Sequence, residues 1–145
     1  MSKLKVTTDY SGTPLVKKLG IKPGFKIVIV NAPTDLSRSL KLPAGVAVSA
    51  STRKPTDCAL LFVKTEKELL KKFGKLAAGL KPAGMLWVAW PKKSSGVLTD
   101  LAFANVQAIG LESGLVDTKI CAIDEIWSGL KFVFRLKDRE SLIRQ

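Results

Sequence analysis

The chain has 145 residues, of which 46% are hydrophobic, so it is long enough to bury the core of one domain spanning residues 1–145. It contains no histidine, which excludes histidine general bases, Ser-His-Asp and Cys-His nucleophiles, and histidine-ligated metals. The formal net charge is +12, but only five of the 24 basic residues are arginine and the lysines are spread along the chain. This pattern is typical of a solvated lysine surface and disfavours nucleic-acid binding.

The two cysteines and the N-terminal residues predict the compartment. Cys58 and Cys121 fall within predicted strands, and neither belongs to a CxxC motif. Two separated cysteines cannot form a four-thiolate zinc site, so we expect two reduced core thiols and no metal site. Residues Met1–Lys5 are too polar for a signal peptide, and no apolar run approaches the ~20 residues that cross a bilayer. The sequence therefore predicts a cytoplasmic protein without a membrane segment.

The first third of the chain predicts two short helices and two strands. A helix over Thr13–Gly20 has Thr13 as a natural N-cap. The β-branched run Phe25–Val30 predicts a central strand. Asp35–Leu40 predicts a second short helix, Val46–Ser49 predicts a short strand, and a polar connection follows over residues 51–56.

The middle of the chain predicts a buried strand and an amphipathic helix. The strand covers Cys58–Val63, and Thr65 with Glu68 forms a capping-box pattern that opens the helix. Helical spacing places one set of apolar residues on a common face: Leu69, Leu70, Phe73, Leu76, Ala77 and Leu80. The lysines that recur every four residues on the other side predict a solvated face: Lys67, Lys71 and Lys75.

A strand, a basic turn and a helix follow. Met85–Trp90 is a continuous apolar run, as in a strand covered on both faces, and Pro91 should end its pairing. Ser95 or Thr99 could cap a helix that runs to about Ser113. The turn between strand and helix has two interpretations, either a solvated loop or an anion pocket built from helix amides, hydroxyls and two ammonium groups. Its residues are Lys92, Lys93, Ser94 and Ser95.

The last third predicts an antiparallel hairpin. Val116–Ile123 is a strand, and the segment after it is too short for a crossover helix, so Leu130–Arg135 must return antiparallel. The fold class is therefore α/β, with a three-layer, Rossmann-like and mostly parallel sheet that ends in a C-terminal antiparallel hairpin. We expect the first strand between the second and third, with the hairpin at the far edge.

This order of elements is similar to the class I methyltransferase fold, whose sheet also ends with a reversed strand. The resemblance covers nearly the whole chain in architecture but lacks the family's motifs. The glycine-rich loop that binds S-adenosylmethionine is replaced by Asn31–Asp35, which has no glycine. The second strand ends in Val48–Ser51 without the acid that binds the ribose, and one strand-helix unit is missing between Ser51 and Asp57. We therefore expect a truncated methyltransferase-like domain without a cofactor, which does not bind S-adenosylmethionine tightly.

A second resemblance is to a family of small uncharacterised bacterial proteins. It is carried by three separated segments, Leu19–Gly24, Leu86–Gly96 and Asp124–Leu130. The resemblance implies the same truncated fold and a bacterial cytoplasmic setting, but no activity.

Polar residues follow several of the predicted parallel strands, whose carboxyl ends should meet at one edge of the sheet. The candidate ligand-binding residues at this edge are Asn31, Thr34, Asp35, Lys92, Lys93, Ser94, Ser95, Asp124 and Trp127. Together they suit a polar ligand with an anionic part and a flat part. For Trp127 a lid over the core is the alternative role, and for Asp35 it is compensation of a helix dipole.

Two classes of function remain. The first is a non-catalytic domain that binds a small anionic ligand or a protein partner at this edge. The second is a transferase with an unusual cofactor pocket. The missing glycine loop and the missing histidine favour the first class, and they leave open whether any reaction is catalysed.

Overall fold

A computed structural model describes residues 14–50 and 55–143, including their side chains except those of residues 37–39 and 143. Along the chain the elements are α1 (Leu15–Leu19), β1 (Lys26–Val30), α2 (Thr34–Ser39), β2 (Ala47–Ser49), β3 (Thr56–Phe62), α3 (Glu66–Ala78), β4 (Leu80–Pro91), α4 (Phe103–Glu112), β5 (Leu115–Ala122), β6 (Trp127–Phe134) and α5 (Leu136–Ile143). The predicted cap at Thr13 and most of the polar connection after residue 50 lie outside the described residues. None of the described helices combines the length and apolarity needed to cross a membrane.

The described strands form one six-stranded sheet in the order β2-β1-β3-β4-β6-β5. The first four pair in parallel, and β6 lies antiparallel between β4 and β5. Because β5 is antiparallel to β6, it runs in the same direction as β4, and five strands end at one edge. This edge is called the rim below. The arrangement confirms the predicted α/β class, the central first strand and the hairpin at the far edge.

Helices cover both faces of the sheet and bury a core on each. On one face Phe73 of α3 and Val106 of α4 pack with Phe132 of β6. On the other face Leu19 of α1 packs with Trp87 of β4, and the Trp87 indole donates a buried hydrogen bond of 3.0 Å to the Leu19 carbonyl. Strand β4 contributes to both clusters, which explains its continuous apolar run.

The boundary between α3 and β4 corrects two expectations. The helix ends at Ala78 with Gly79 as its C-cap, so Leu80 belongs to β4, which starts five residues earlier than expected. Leu70 is 60% exposed because it follows the fully buried Leu69 by one position, and neighbouring helical residues point about 100° apart.

Pairing at the other end of β4 also differs from expectation. Pro91 lies opposite Trp127, and the next amide, that of Lys92, donates to the Ile126 carbonyl at 2.7 Å. Proline therefore ends the strand without ending the ladder, because the missing N–H falls at a position where none is required.

Helix α4 starts at Phe103, later than either predicted cap. The two hydroxyls expected to cap it form local turns instead, with Ser95 Oγ accepting from the Val97 amide and Thr99 Oγ1 from the Leu101 amide, each at 3.1 Å. Side chains that bond their own backbone in this way stabilise non-helical geometry. The Asn105 carboxamide accepts from the Ala102 amide at 2.7 Å and marks the true helix start. The sequence patterns also do not predict α5.

Candidate functional site

A cleft of about 480 Å³ opens at the rim, between the ends of β1 and β3 and the loops that follow β4 and β5. Its lining comes from separate parts of the chain: Asn31, Pro33, Phe62, Lys64, Glu68, Val97, Ile126 and Trp127. The size lies within the range of small-molecule pockets, roughly 300–1,000 Å³. The cleft is thus where the predicted rim site takes a concave shape.

The floor of the cleft is aromatic. The rings of Phe62 and Trp127 meet edge to face, with centroids 5.2 Å apart and planes at 82°. Their exposures are only 3% and 6%, so both rings belong mainly to the core and present little surface to the cleft. Trp127 therefore has both roles: its ring covers the core, and its small exposed part lines the cleft.

The polar wall is built by Asn31, Lys64 and Glu68. The Asn31 carboxamide donates to Glu68 Oε2 at 2.9 Å, and the Lys64 amide donates to Glu68 Oε1 at 3.5 Å. Asn31 has a φ of 61°, a left-handed conformation that asparagine adopts more readily than most residues. The chain thus turns away from β1 at the place where the resembling family has glycine.

The capping-box prediction at α3 is half confirmed. Thr65 Oγ1 accepts from the Glu68 amide at 3.1 Å, as expected of an N-cap. The Glu68 carboxylate instead bonds the Lys64 amide and Asn31, which brings it into the cleft wall. The N-cap at Thr65 thereby fixes the start of α3 so that the Glu68 carboxylate lies in the cleft wall.

A network of hydrogen bonds braces the loop after β4 against the start of α3. Asp100 Oδ1 accepts from the Glu66 amide at 2.8 Å, so this carboxylate lies at the positive N-terminus of α3. Thr99 Oγ1 donates to the Lys64 carbonyl at 2.6 Å, and Asn105 donates to the Glu66 carboxylate at 3.0 Å. These contacts hold Lys64 between two ordered segments.

Of the nine predicted residues, Asn31 and Trp127 line the cleft. Asp124 shapes the hairpin, because its Oδ1 accepts from the Ile126 and Trp127 amides at 2.8 Å each. Thr34 and Asp35 are exposed in the first turn of α2, outside this lining.

The basic turn over Lys92–Ser95 also lies outside the lining. Residues Lys93–Ser95 form a three-residue 3-10 helix, and Ser95 Oγ donates to the Lys92 carbonyl at 2.6 Å. The predicted anion pocket assumed a helix start directly after this turn, and α4 begins only at Phe103. Lys93 and Ser94 are exposed, as a solvated loop would have them.

Six lining residues are absent from the predicted set: Pro33, Phe62, Lys64, Glu68, Val97 and Ile126. Lys64 directly follows the third predicted parallel strand, which places it at the same edge as the candidates although it was not among them. Glu68 carried only a capping signal, and its contact with Asn31 spans 37 residues of sequence. No local pattern reports such a contact.

Among the described residues that line the cleft, Glu68 and Lys64 carry ionisable side chains. Among the described residues neither cysteine forms a disulfide. Cys58 is fully buried within the sheet, and burial raises the pKa of its thiol to about 12. A thiol in this environment stays protonated and is a poor nucleophile. Within the described residues, no group of three or more cysteine, aspartate or glutamate side chains is placed to hold a metal.

No family model and no curated protein matches the chain. Among solved structures, an S-adenosylmethionine (SAM)-dependent methyltransferase from Aquifex aeolicus is similar with a TM-score of 0.61 and 14% identity, over 81% of this chain and 86% of that one. A putative methyltransferase from Thermoplasma acidophilum gives 0.55 and 10%, over 81% and 71% of the two chains. A ribosomal protein L11 methylase from Lactobacillus delbrueckii subsp. bulgaricus gives 0.56 and 10%, over 83% and 75%.

Identities at this level establish architecture and leave chemistry open. The likeness covers about four fifths of the chain and agrees with the resemblance derived from the order of its strands. The chain therefore has a methyltransferase-like fold of class I.

Proposed function

We propose that the protein is a non-catalytic domain that binds a small ligand in the rim cleft, and that this ligand joins a flat apolar part to an anionic group. The observation that carries the proposal is that one cleft is lined by the polar side chains of Asn31, Lys64 and Glu68 and by apolar residues. The largely buried rings of Phe62 and Trp127 lie at its base. A concave apolar site with a few convergent polar groups is the usual form of a ligand pocket.

Each wall group supports one feature of the ligand. The exposed Lys64 ammonium can pair with a phosphate or carboxylate, and the Glu68 carboxylate can accept from a hydroxyl or amine of the ligand. Asn31 uses one amide hydrogen on Glu68 and retains a second for the ligand. A nucleotide is the simplest class with a flat ring, donor hydroxyls and an anionic group.

Lys92 and Lys93 have a supporting role in this proposal. They lie at the rim but outside the cleft lining, so they would attract the anion at longer range without touching it. The net charge of +12 acts in the same direction. We expect this contribution to weaken as salt concentration rises.

Two observations favour binding without catalysis. The sequence has no histidine, and the cleft carboxylate, that of Glu68, is already held by Asn31 and the Lys64 amide. The buried thiol of Cys58 and the lack of a disulfide among the described residues support a reducing, cytoplasmic location.

A transferase is the second candidate, favoured by the fold shared with SAM-dependent methyltransferases. The segment Asn31–Asp35 argues against it, because it brings a side chain and a proline where that family uses glycine to approach the cofactor. We expect no binding of S-adenosylmethionine in the low micromolar range, about −8 kcal/mol.

A thermal-shift screen with nucleotides, sugar phosphates and S-adenosylmethionine tests both candidates, because a ligand of the native state raises the Tm. Hits are then measured by calorimetry in the wild type and in Lys64→Gln. We expect a nucleotide to bind and Lys64→Gln to weaken it about tenfold, the size of one lost charge-assisted hydrogen bond. Lys67→Gln, an exposed lysine outside the lining, is the matched control and should bind as the wild type does.

The Lys92→Ala, Lys93→Ala double variant should weaken binding only about twofold to threefold, and less at high salt. Low-micromolar binding of S-adenosylmethionine with methyl transfer to an acceptor would replace the proposal by the transferase. If the wild type and Lys64→Gln bind the ligand equally well, the ligand does not bind in the rim cleft.

A further inference from the structure

A second groove, of about 530 Å³, lies on the face of the sheet covered by α3 and α4. It runs between the C-terminal half of α3 and the ends of β1 and β2. Its lining residues are Val30, Ala50, Lys71, Lys72, Lys75, Leu76 and Ala78. None of these described lining residues belongs to the rim cleft, and the groove plays no part in the function proposed above.

The wall of this groove is basic. The lysine row of α3, predicted as one solvated face, divides here, because Lys71 and Lys75 line the groove together with Lys72 while Lys67 lies outside it. Among the described residues these three ammonium groups form no ion pair, whereas Lys81 pairs with Asp57 at 3.0 Å. Three unneutralised cations beside one groove attract an anionic partner.

The floor of the groove is apolar, which disfavours a partner that binds through charge alone. Val30 is half-buried at the end of β1, Leu76 is 5% exposed and Ala78 is exposed. Among the described residues, the lining has no aromatic ring on which a base could stack and no arginine for bidentate contact with phosphate. A second copy of the chain would bring a further charge of +12 and be repelled.

We propose that this groove binds an acidic amphipathic helix of a partner protein. Lys71 and Lys75 are one helical turn apart, about 6 Å along the axis of α3. Carboxylates at positions i and i+4 of a bound helix have the same spacing, and apolar side chains between them reach the floor formed by Val30 and Ala78. Charge complementarity and the apolar floor together select a peptide over a polyphosphate chain.

The test uses a fluorescein-labelled synthetic peptide of about 18 residues, with leucine on one helical face and glutamate flanking it. Binding to the full chain is followed by fluorescence anisotropy. We expect saturable binding that the Lys71→Glu, Lys75→Glu double variant weakens at least about tenfold, since each charge reversal turns attraction into repulsion. The matched control Lys67→Glu, on the same helix but outside the groove, should change affinity less than about twofold.

Two further measurements separate the proposed partner from its alternatives. Ala78→Gln should weaken the peptide and leave single-stranded DNA unaffected, because it fills the apolar floor without changing charge. Circular dichroism and Tm should match the wild type in each variant, since Lys71, Lys75 and Ala78 are exposed. The proposal is overturned if a scrambled peptide of the same composition binds equally well, or if the DNA binds more tightly and loses its affinity in the same charge-reversed variant.

Discussion

Asn31 and Glu68 are 37 residues apart in sequence, and a hydrogen bond of 2.9 Å joins the Asn31 carboxamide to Glu68 Oε2. The bond links the end of β1 to the first turn of α3 along the polar wall of the rim cleft. Asn31 makes it from a left-handed backbone with φ of 61°. One residue therefore both turns the chain and anchors a charged group of the site.

Replacing Asn31 separates these two roles. Asn31→Ala removes the bond and leaves a Cβ residue in left-handed geometry, so we expect the free energy of unfolding to fall by about 1–2 kcal/mol. Asn31→Gly removes the bond but relieves the backbone, and should cost less. Urea denaturation measures both, and equal losses in the two variants would mean that backbone geometry contributes nothing.

Gly110 and Gly74 form a matched pair of helical glycines with opposite expected outcomes. A methyl group at Gly110 would overlap the ring of Phe132, which is fully buried and packed edge to face on Phe73 with centroids 5.3 Å apart. Gly110→Ala should therefore lower stability by about 1–3 kcal/mol despite its better helix propensity. At Gly74 a methyl group meets nothing within 4 Å, so Gly74→Ala should raise stability by about 0.5–1 kcal/mol.

Thermal or urea unfolding of the two glycine variants checks the packing of α4 against β6. If Gly110→Ala is as stable as Gly74→Ala, the close approach of α4 to Phe132 is not present in solution.

The Cys58 thiol makes stability depend on alkaline pH. Its pKa is about 12 in the folded chain and 9.0 in its ordinary state, so the folded protein retains a proton that the unfolded chain loses. The contribution of the protonated Cys58 thiol to the free energy of unfolding is complete below about pH 9. It declines as pH rises, with a limiting slope of about 1.4 kcal/mol per pH unit. Cys58→Ala removes this contribution, so the stability difference between wild type and variant should shrink between pH 9 and pH 10.5. A difference that stays constant over this interval would contradict the burial of a neutral thiol.

Asp124 should matter for the hairpin through its oxygen rather than its charge. Its Oδ1 accepts from two amides, those of Ile126 and Trp127, at 2.8 Å each. Asp124→Ala should cost about 1–2 kcal/mol, while Asp124→Asn keeps an acceptor oxygen and should restore most of the loss. Near-ultraviolet circular dichroism would show whether Trp127 shifts with the turn, and equal loss in both variants would assign the effect to charge.

The sequence alone predicted the α/β class, the order of the strands in the sheet and the reversed last strand. The continuous apolar run Met85–Trp90 predicted a strand covered on both faces, and the short segment before Leu130 predicted an antiparallel return. These features depend on local periodicity and chain length, which are written in consecutive residues. The absence of glycine in Asn31–Asp35 is likewise a property of consecutive residues, so it is visible without the structure.

Tertiary structure decided the contents of the site. Helix α4 starts later than predicted, because the Thr99 hydroxyl that was expected to cap it donates instead to the Lys64 carbonyl, which belongs to a different loop. The cleft wall depends on the contact of Asn31 with Glu68, a pair that no spacing rule connects. The spacing of Lys71 and Lys75 predicted only a solvated helix face. The fold places this part of α3 beside the ends of β1 and β2, so that both lysines line a groove. Contacts across the sheet are set by packing between distant segments, and a linear pattern carries no record of which segments will meet.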